Sequence, residues 1–276
     1  MKIGVVGLGL IGGSLAKGFN ALNDVSVLGY DNDESTLLRA RLEGVIKETL
    51  TKENIGQCSY VFISLYPKAA IEFLKDNAKY FKKNSVVVDC CGIKESVCRA
   101  GFSLSEENGF SFIGGHPMAG TQFSGFKYSR ASIFDKASMI LVPHKGEKIE
   151  VLQNLKELLV KIGFKSVTIT TAKEHDRIIA YTSQLAHVVS NAYVKSPSAK
   201  VHKGFSAGSY RDLTRVAKLN AKMWTELFLE NGENLSKEID FITEQLRKYS
   251  DAIKKGDAQE LEKLLEEGSI IKESIG

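Results

Sequence analysis

Short apolar runs rich in Val and Ile alternate with longer segments of helical periodicity over residues 1–170. Apolar side chains at every third or fourth position predict helices, whereas the short β-branched runs predict strands. The predicted strands are residues 2–6, 25–30, 60–65, 85–90, 110–113, 139–142 and 167–170. The helices predicted between them are residues 11–22, 34–42, 68–81 and 147–162. This alternation is typical of an α/β fold with a doubly wound, mostly parallel sheet.

The pattern changes at Thr171. Thr171 and Glu174 have the spacing of a capping box, which marks the start of a helix. Beyond it the apolar spacing predicts helices alone, over residues 172–195, 207–218, 221–255 with an interruption near 231–232, and 257–267. We therefore expect two domains, an α/β domain of residues 1–170 and an all-α domain of residues 171–276.

Several of the predicted C-terminal helices carry wide apolar faces, for example Leu213 and Val216, then Trp224, Leu227 and Phe228. A helical domain of this size would bury such faces against the first domain and, by hypothesis, against a second subunit. We expect a homodimer through these helices. Packing of the same faces within one chain is the alternative that the pattern leaves open.

The composition is that of a globular protein, since 43% of the 276 residues are hydrophobic and 25% are charged. No run approaches the roughly 20 apolar residues of a membrane-spanning helix, and the chain enters its first strand without a signal-peptide pattern. We expect a cytoplasmic protein that does not bind membranes. The net charge of +4 is small and the basic residues form no stripe, so nucleic-acid binding is not indicated.

The four cysteines are predicted to be reduced, structural thiols. They show neither a C-x-x-C pair nor histidines at the spacing of a zinc finger. We therefore expect no metal site. The cysteines are Cys58, Cys90, Cys91 and Cys98.

A glycine-rich turn follows the first predicted strand and opens the first predicted helix. Gly7, Gly9 and Gly12 match the G-x-G-x-x-G fingerprint of a Rossmann-type dinucleotide site. Gly7 permits the tight turn, Gly9 lets the backbone approach a pyrophosphate, and Gly12 lets the helix pack close to the strand. We expect these glycines, with Leu10 and Ile11 between them, to bind the cofactor through the amides of the helix N-terminus.

An acidic residue, Asp31, ends the second predicted strand nineteen residues after Gly12. Its carboxylate would bind the adenosine ribose hydroxyls and repel the 2′-phosphate of NADP, so NAD is favoured. Ser64 and Tyr66 follow the third predicted strand and should lie near the cofactor at the carboxyl edge of the sheet. A glycine turn without a ligand and an FAD site are the alternatives, although the chain is short for a flavoprotein with a substrate domain.

The segment GGHPMAGTQ at residues 114–122 follows the fifth predicted strand. Its glycines and proline predict a loop at the sheet edge, which would place His116 where chemistry occurs. A loop histidine that bonds only to backbone is the alternative for this residue. The particular combination of residues around His116 favours a catalytic role.

The chain resembles the prephenate and arogenate dehydrogenases over essentially its whole length. Five stretches carry the resemblance: VGLGLIGGSLA at 6–16, DCCGIKE at 89–95, GGHPMAGTQFSG at 114–125, SQLAHVVSNA at 183–192 and YRDLTRVAKLNAKMW at 210–224. The resemblance implies NAD-dependent oxidative decarboxylation of prephenate to 4-hydroxyphenylpyruvate, on the route to tyrosine. It implies that His116 is the catalytic base and that Arg215 binds a substrate carboxylate. His187 would line the same pocket, and Thr121 and Gln122 would contact the substrate.

The chemistry of the reaction agrees with these roles. Prephenate is a dianion whose ring hydroxyl is oxidised, and a neutral imidazole is suited to take the hydroxyl proton near pH 7. The planar guanidinium of Arg215 can bind a carboxylate in a bidentate manner. Two points stay open: His187 could be a packing residue, and Arg211, one turn before Arg215, could supply a second charge or face solvent.

The chain departs from the family pattern at three positions. Gly92 stands where relatives often carry a Ser that bonds the catalytic His, so Cys91, Ser64 or a water would have to replace that contact. Gln184 stands where a second His is common. Gln122 replaces a frequent acid, and a neutral amide avoids repelling the prephenate dianion, which favours prephenate over arogenate.

Three other functions compete with this one. Arogenate dehydrogenase is the nearest, because arogenate differs from prephenate by an ammonium in place of a keto group. A β-hydroxyacid dehydrogenase would require a catalytic Lys early in the second domain, and Lys173 lies too near the predicted helix start. An NAD sensor without catalysis would require a recognition element for a partner, which neither half offers.

Overall fold

The computed structural model describes residues 1–121 and 123–276. Eight strands form one sheet: β1 (Lys2–Val6), β2 (Ser26–Tyr30), β3 (Glu48–Thr49), β4 (Tyr60–Ile63), β5 (Val86–Asp89), β6 (Ser111–Pro117), β7 (Ser138–Pro143) and β8 (Ser166–Ile169). Their order across the sheet is β3-β2-β1-β4-β5-β6-β7-β8. Each neighbouring pair is parallel except β6 and β7, which are antiparallel. The predicted doubly wound, mostly parallel sheet is confirmed, and the order reverses direction between β1 and β4.

Helices cover both faces of this sheet. They are α1 (Leu10–Asn20), α2 (Glu34–Leu42), α3 (Pro67–Asn77), α4 (Glu95–Asn108) and α5 (Ile149–Lys161). Phe19 of α1 and Leu155 of α5 belong to one buried cluster, whereas Leu74 of α3 and Val97 of α4 belong to another. The two clusters fill the two faces, and burial of their apolar area supplies the main stabilisation of this part of the chain.

The sequence pattern missed α4 because its buried face is made of small residues. That face consists of Val97, Cys98, Gly101 and Ser105, so the helical period contains few large apolar side chains. The reason is the close approach of α4 to the sheet: a Cβ added at Gly101 would lie 2.4 Å from the Phe112 ring. A helix this close to a strand has no room for an ordinary apolar stripe.

The prediction that residues 114–122 begin as a loop is wrong for their first four members. Gly114 to Pro117 belong to β6 and pair with β7. The two glycines serve close packing, because a Cβ at Gly114 would lie 2.4 Å from Cys98 Sγ and a Cβ at Gly115 would lie 2.4 Å from the Asp89 carbonyl oxygen. His116 is therefore held on a strand, and its backbone is more restrained than that of a loop residue.

The remaining helices form the C-terminal domain: α6 (Ala172–Ile179), α7 (Ala186–Tyr193), α8 (Gly208–Thr214), α9 (Ala221–Glu230), α10 (Gly232–Lys255) and α11 (Ala258–Ile275). A π-helical turn, Ala180–Leu185, joins α6 to α7. The Thr171 hydroxyl accepts the Glu174 amide at 3.2 Å, as the capping box predicts, although the Glu174 carboxylate bonds Arg177 rather than the cap. Within the described ranges, no helix is long and apolar enough to cross a membrane.

Candidate functional site at the carboxyl edge of the sheet

The turn between β1 and α1 forms a tight cradle built by two glycines. Gly7 adopts a positive φ of 81°, and a Cβ at Gly12 would lie 1.7 Å from the Gly7 carbonyl oxygen. Side chains at these positions are excluded by the backbone itself. The turn therefore brings the start of α1 directly against the carboxyl end of β1, beside the reversal of the sheet where ligands bind in such folds.

The cradle is open on the side where a dinucleotide phosphate would lie. Among the residues that the structure describes, a Cβ at Gly9 would meet no atom within 4 Å, and no side chain caps the first amides of α1. Leu10 and Ile11 begin that helix and are partly exposed. Free amides at a helix N-terminus are suited to bind phosphate, so the residues present fit a dinucleotide.

Two polar side chains complete this fit. Both oxygens of Asp31 are held by backbone amides, Leu8 N at 2.7 Å and Asp33 N at 3.0 Å, which fixes the carboxylate at the end of β2. The hydroxyl of Ser64 is buried and has no hydrogen-bond partner among the described residues. A buried hydroxyl without a partner is costly, and a bound ligand would relieve that cost. Tyr66 is exposed at the N-cap of α3.

His116 lies near the end of β6 and is bonded to a histidine of the helical domain. Its Nδ1 lies 2.9 Å from Nε2 of His175, and Nδ1 of His175 lies 2.7 Å from the Asp176 carboxylate. His175 and Asp176 are adjacent on α6 and are each 2% exposed. The predicted catalytic base is therefore the first member of a row of three polar side chains, His116, His175 and Asp176.

The Asp176 carboxylate also joins the two domains. It accepts the amides of Lys94 at 2.7 Å and Glu95 at 2.8 Å, the N-cap residue and the first residue of α4. A carboxylate at a helix N-terminus satisfies free amides and interacts favourably with the helix dipole. Because Asp176 belongs to α6, this cap docks the helical domain against the nucleotide-binding domain beside His116.

A fully buried ion pair lies beneath these contacts. The Lys94 ammonium pairs with the Asp89 carboxylate, whose other donors are the amides of Cys91 and Gly115. Burial alone would lower the pKa of Lys94, but the Asp89 charge raises it to about 12. The pair holds the end of β5 against β6 next to His116, and loss of one partner would leave an uncompensated buried charge.

The surroundings keep both histidines neutral near pH 7. Burial lowers the pKa of His116 well below its ordinary value of 6.5. Repulsion from His175, when that ring is protonated, and from the Lys94 ammonium lowers it further. Burial also lowers the pKa of His175, although its bond to Asp176 opposes the shift. A neutral imidazole at position 116 has one ring nitrogen free to accept a proton.

His187, Trp224 and Arg215 form a second group of side chains. The His187 ring lies 4.0 Å from the Trp224 ring, centroid to centroid, and its Nδ1 donates to the Ser183 carbonyl at 2.8 Å. The pKa of His187 is lowered by partial burial and by the charge of Arg215. Asn191 holds the backbone near Arg215 by donating to the Ala217 carbonyl at 3.1 Å. The guanidinium is exposed.

Helix α9 connects this second group to His116. Trp224 lies one turn before Leu227, and the Leu227 methyls would lie 3.7 Å from a Cβ at Gly92. The same Cβ would lie 3.9 Å from Nε2 of His116, so the free nitrogen of His116 faces Gly92 and α9. Within the described part of the chain, no hydrogen bond joins His116 directly to His187.

Two substitutes proposed for the missing serine at position 92 differ in their surroundings. The Cys91 thiol is buried and donates to the Leu65 carbonyl at 3.4 Å, so it is engaged elsewhere. Ser64, in contrast, has an unpartnered hydroxyl. The two side chains therefore differ: the Cys91 thiol is engaged with the backbone, whereas the Ser64 hydroxyl meets no hydrogen-bond partner of ordinary geometry among the described residues.

Thr121, Gln122, Arg211 and Gln184 were also singled out from the sequence. The Thr121 hydroxyl bonds the backbone of Phe123 within its own loop, and Gln122 lies outside the described residues. Arg211 on α8 is exposed. Gln184 is 1% exposed and links the π-helical turn to α9 by donating to the Leu227 carbonyl at 3.0 Å.

His175 and Asp176 were not among the residues predicted from the sequence. The signal that could have found them is the helical spacing of His175, Asp176, Ile179 and Ala180, which all are buried. Two of these four positions are ionisable, and buried ionisable side chains are uncommon without partners. Such a face predicts a polar contact with another element.

Comparison with known proteins identifies related sequences over nearly the whole chain. A family model described as "Prephenate dehydrogenase, nucleotide-binding domain" matches residues 16–168. A second, described as "Prephenate dehydrogenase, dimerization domain", matches residues 171–267. A prephenate dehydrogenase of Lactococcus lactis subsp. cremoris is 31% identical over 282 aligned positions, which cover 99% of this chain and 77% of that protein.

Two solved structures share the fold of the entire chain. Prephenate dehydrogenase from Aquifex aeolicus, in complex with hydroxyphenyl propionate and NAD+, superposes with a TM-score of 0.85 at 27% identity, and the match covers 100% of this chain and 98% of that one. Synechocystis arogenate dehydrogenase superposes with a TM-score of 0.84 at 25% identity over 100% of both chains. Similarity extends to relatives named for either substrate.

Gly9→Ala tests the cradle. We expect the dissociation constant for NAD, measured by calorimetric titration, to rise about 10-fold or more, because the added methyl enters the space next to the phosphate-binding amides. The melting temperature should change little, since the methyl meets no atom of residues 1–121 or 123–276 within 4 Å. The matched control is Gly268→Ala on α11, which should leave NAD binding unchanged. Unaltered affinity in Gly9→Ala would contradict this site.

Proposed function

Because the chain belongs to the prephenate dehydrogenase family, we propose that it oxidises and decarboxylates prephenate to 4-hydroxyphenylpyruvate with His116 as the general base. The family makes it an NAD-dependent dehydrogenase. The observation that carries the proposal is the environment of His116, a neutral imidazole whose Nδ1 is bonded to His175 and whose Nε2 faces Gly92.

The cradle at the start of α1 would hold the cofactor. Gly7, Gly9 and Gly12 would admit the pyrophosphate, Asp31 would accept the ribose hydroxyls, and Ser64 would lie nearby at the end of β4. When bound, NAD accepts the hydride that leaves the hydroxyl-bearing carbon of the substrate. The carboxylate of Asp31 disfavours the extra phosphate of NADP.

His116 would accept the hydroxyl proton of the substrate and later return it. Its Nε2 takes the ring hydroxyl proton as the carbonyl forms, and loss of the ring carboxylate as carbon dioxide then leaves a phenolate. The protonated imidazole can return the proton to that oxygen. Prephenate and NAD+ thus give 4-hydroxyphenylpyruvate, carbon dioxide and NADH, with atoms and charge balanced.

Arg215 would bind a carboxylate of the substrate. An exposed guanidinium beside a neutral His187 can form a bidentate bond to a carboxylate. His187 Nε2 remains available as a hydrogen-bond acceptor, because Nδ1 carries the hydrogen that bonds Ser183. On α9, Trp224 packs against His187, and Leu227 lies next to Gly92, which Nε2 of His116 also faces. They supply an apolar surface suited to the ring of prephenate.

The choice of prephenate over arogenate rests on Gln122. An acidic residue near the side chain of the substrate would attract the ammonium of arogenate and repel the second carboxylate of prephenate. A neutral amide removes that discrimination against prephenate. The similarity to Synechocystis arogenate dehydrogenase makes arogenate the second candidate substrate.

We also infer that the protein is a homodimer through its helical domain. The matching family model is described as a dimerization domain, and large apolar side chains of that domain are exposed, among them Phe205, Phe241 and Ile253. Light scattering should give twice the mass of one chain at micromolar concentration. A single-chain mass would contradict the inference.

The four free cysteines suit a reducing compartment, and we place the enzyme in the cytoplasm.

His116→Asn tests the proposed reaction. The wild-type protein should form NADH with prephenate faster than with arogenate, and not with a 3-hydroxyacid. In the variant, kcat with prephenate should fall about 10²- to 10⁴-fold, the contribution of a general base, while the dissociation constant for NAD stays the same. No turnover of any of the three substrates by the wild-type protein, alongside tight NAD binding, would favour the sensor instead.

Arg215→Ala should weaken substrate binding. We expect KM for prephenate to rise about 10- to 100-fold, which corresponds to the loss of a charge-assisted hydrogen bond of about 1.5–3 kcal/mol. The matched control is Arg99→Ala, which removes an exposed guanidinium from α4. Equal effects of the two variants on KM would argue against a specific role for Arg215.

A further inference from the structure

His175 and Asp176 are buried ionisable residues that the proposed reaction does not use directly. Both lie on α6, in the helical domain. His175 is hydrogen-bonded to His116 and to Asp176, and Asp176 accepts two amides at the N-terminus of α4. Burial of such groups is costly unless every partner is satisfied. Their hydrogen bonds determine which ring nitrogens of His175 and His116 carry a hydrogen.

The arrangement begins at the Asp176 carboxylate. Its two oxygens accept the amides of Lys94 and Glu95, which matches an ionised group that can only accept hydrogen bonds. The His175 nitrogen that faces it, Nδ1 at 2.7 Å, must therefore carry a hydrogen. His175 is neutral near pH 7 because burial lowers its pKa, so its Nε2 holds a lone pair.

The hydrogen on His175 in turn fixes the hydrogen on His116. Nε2 of His175 and Nδ1 of His116 lie 2.9 Å apart, and a bond between them requires one hydrogen. Since His175 offers a lone pair there, Nδ1 of His116 must be the donor. A neutral His116 then has no hydrogen on Nε2, the nitrogen that faces Gly92 and α9.

We propose that His175 is a positioning residue that, together with Asp176, fixes His116 in the tautomer with a free Nε2, and that this setting depends on the docking of the helical domain. The proposal deepens the proposed function, on which its catalytic part rests. Without His175, the hydrogen of His116 can reside on either nitrogen, and the Nε2–H form cannot accept the substrate proton.

The Asp176 carboxylate makes the state of His116 depend on the docking of the two domains. Asp176 bonds the N-terminus of α4 in the nucleotide-binding domain and, through His175, the base on β6. Separation of α6 from α4 would remove the amide donors from Asp176 and the partner from His116 together. The base is therefore set only when the two domains are in contact.

The row also affects the charge that develops on the base. When His116 takes up a proton, its Nδ1–H still donates to His175, and the Asp176 carboxylate lies at the far end of the row. This carboxylate partly offsets the new positive charge. The Lys94 ammonium opposes it, but Lys94 is itself paired with Asp89. These are the charged groups that face the two imidazoles from β5, α4 and α6.

The ring nitrogens can be observed directly by NMR on the full-length protein labelled with 15N-histidine, without substrate. The chain has five histidines, and the missing signals of His116→Asn assign His116. We expect Nδ1 of His116 to carry the hydrogen in the wild-type protein near pH 7. Finding the hydrogen on Nε2 would overturn the proposal, whatever the variants show.

Two substitutions separate positioning from simple packing. His175→Phe fills a similar volume but offers no acceptor, and we expect His116 to lose its single tautomer. His175→Gln keeps an amide oxygen that can accept the Nδ1–H bond, so the tautomer should be retained. His144→Phe, which removes a histidine outside this row, is the matched control. An unchanged His116 tautomer in His175→Phe would also overturn the proposal.

Turnover supplies the functional readout. In His175→Phe, kcat with prephenate should fall about 10- to 100-fold, part of the contribution of a general base, with KM for prephenate and NAD affinity within about 2-fold. His175→Gln should recover most of the lost kcat. Unchanged kcat in His175→Phe contradicts the catalytic part. If the tautomers are as expected but prephenate is not turned over at all, the proposed function fails while the positioning of His116 stands.

Discussion

The Asp176 carboxylate is the contact on which both the docking of the domains and the state of the site depend. It caps α4 in one domain from α6 in the other and bonds His175, the partner of His116. Each hydrogen bond to an ionised group stabilises the folded state by about 1.5–3 kcal/mol. The Asp176 carbonyl also accepts the Asn231 amide, which ties the start of α10 to the same point.

Close packing of small residues makes this arrangement possible. Gly114 and Gly115 let β6 approach the Asp89 carbonyl and Cys98 within distances that exclude a methyl group. His116, the next residue, is thereby placed beside the Lys94–Asp89 pair and within reach of α6. Gly12 has the corresponding effect at the cofactor cradle, where it brings α1 onto the end of β1. Both halves of the site lie at the carboxyl edge of one sheet, where folds of this kind bind ligands.

The π-helical turn Ala180–Leu185 links the two groups of side chains within the helical domain. It separates α6, which carries His175, from α7, which carries His187. Gln184 within the turn accepts from Asn231 at 2.7 Å and donates to the Leu227 carbonyl. One helical segment thus holds both groups of side chains against α9, and π-helical turns are frequent at functional sites.

Sequence reasoning worked where the signal is local. The alternation of apolar runs predicted the doubly wound sheet, and the glycine fingerprint with the acid after β2 predicted the NAD site. These patterns, like the Thr171 cap, depend on backbone geometry within a few residues, whereas the family followed from five resembling stretches. Resemblance to a family identified His116, Arg215 and His187 as candidates. It could not describe α4, whose buried face of Cys98, Gly101 and Ser105 lacks the apolar period that predicts a helix.

The tertiary structure alone decided which side chains meet. GGHP predicts a loop because glycine and proline usually mark turns. In the structure, however, the glycines are required because atoms of β5 and α4, distant in the chain, leave no room for a side chain. The contacts of His116 with His175 and of Asp176 with α4 span 59 and 82 positions. No local pattern encodes contacts of that range, because they depend on how two separately formed domains pack together.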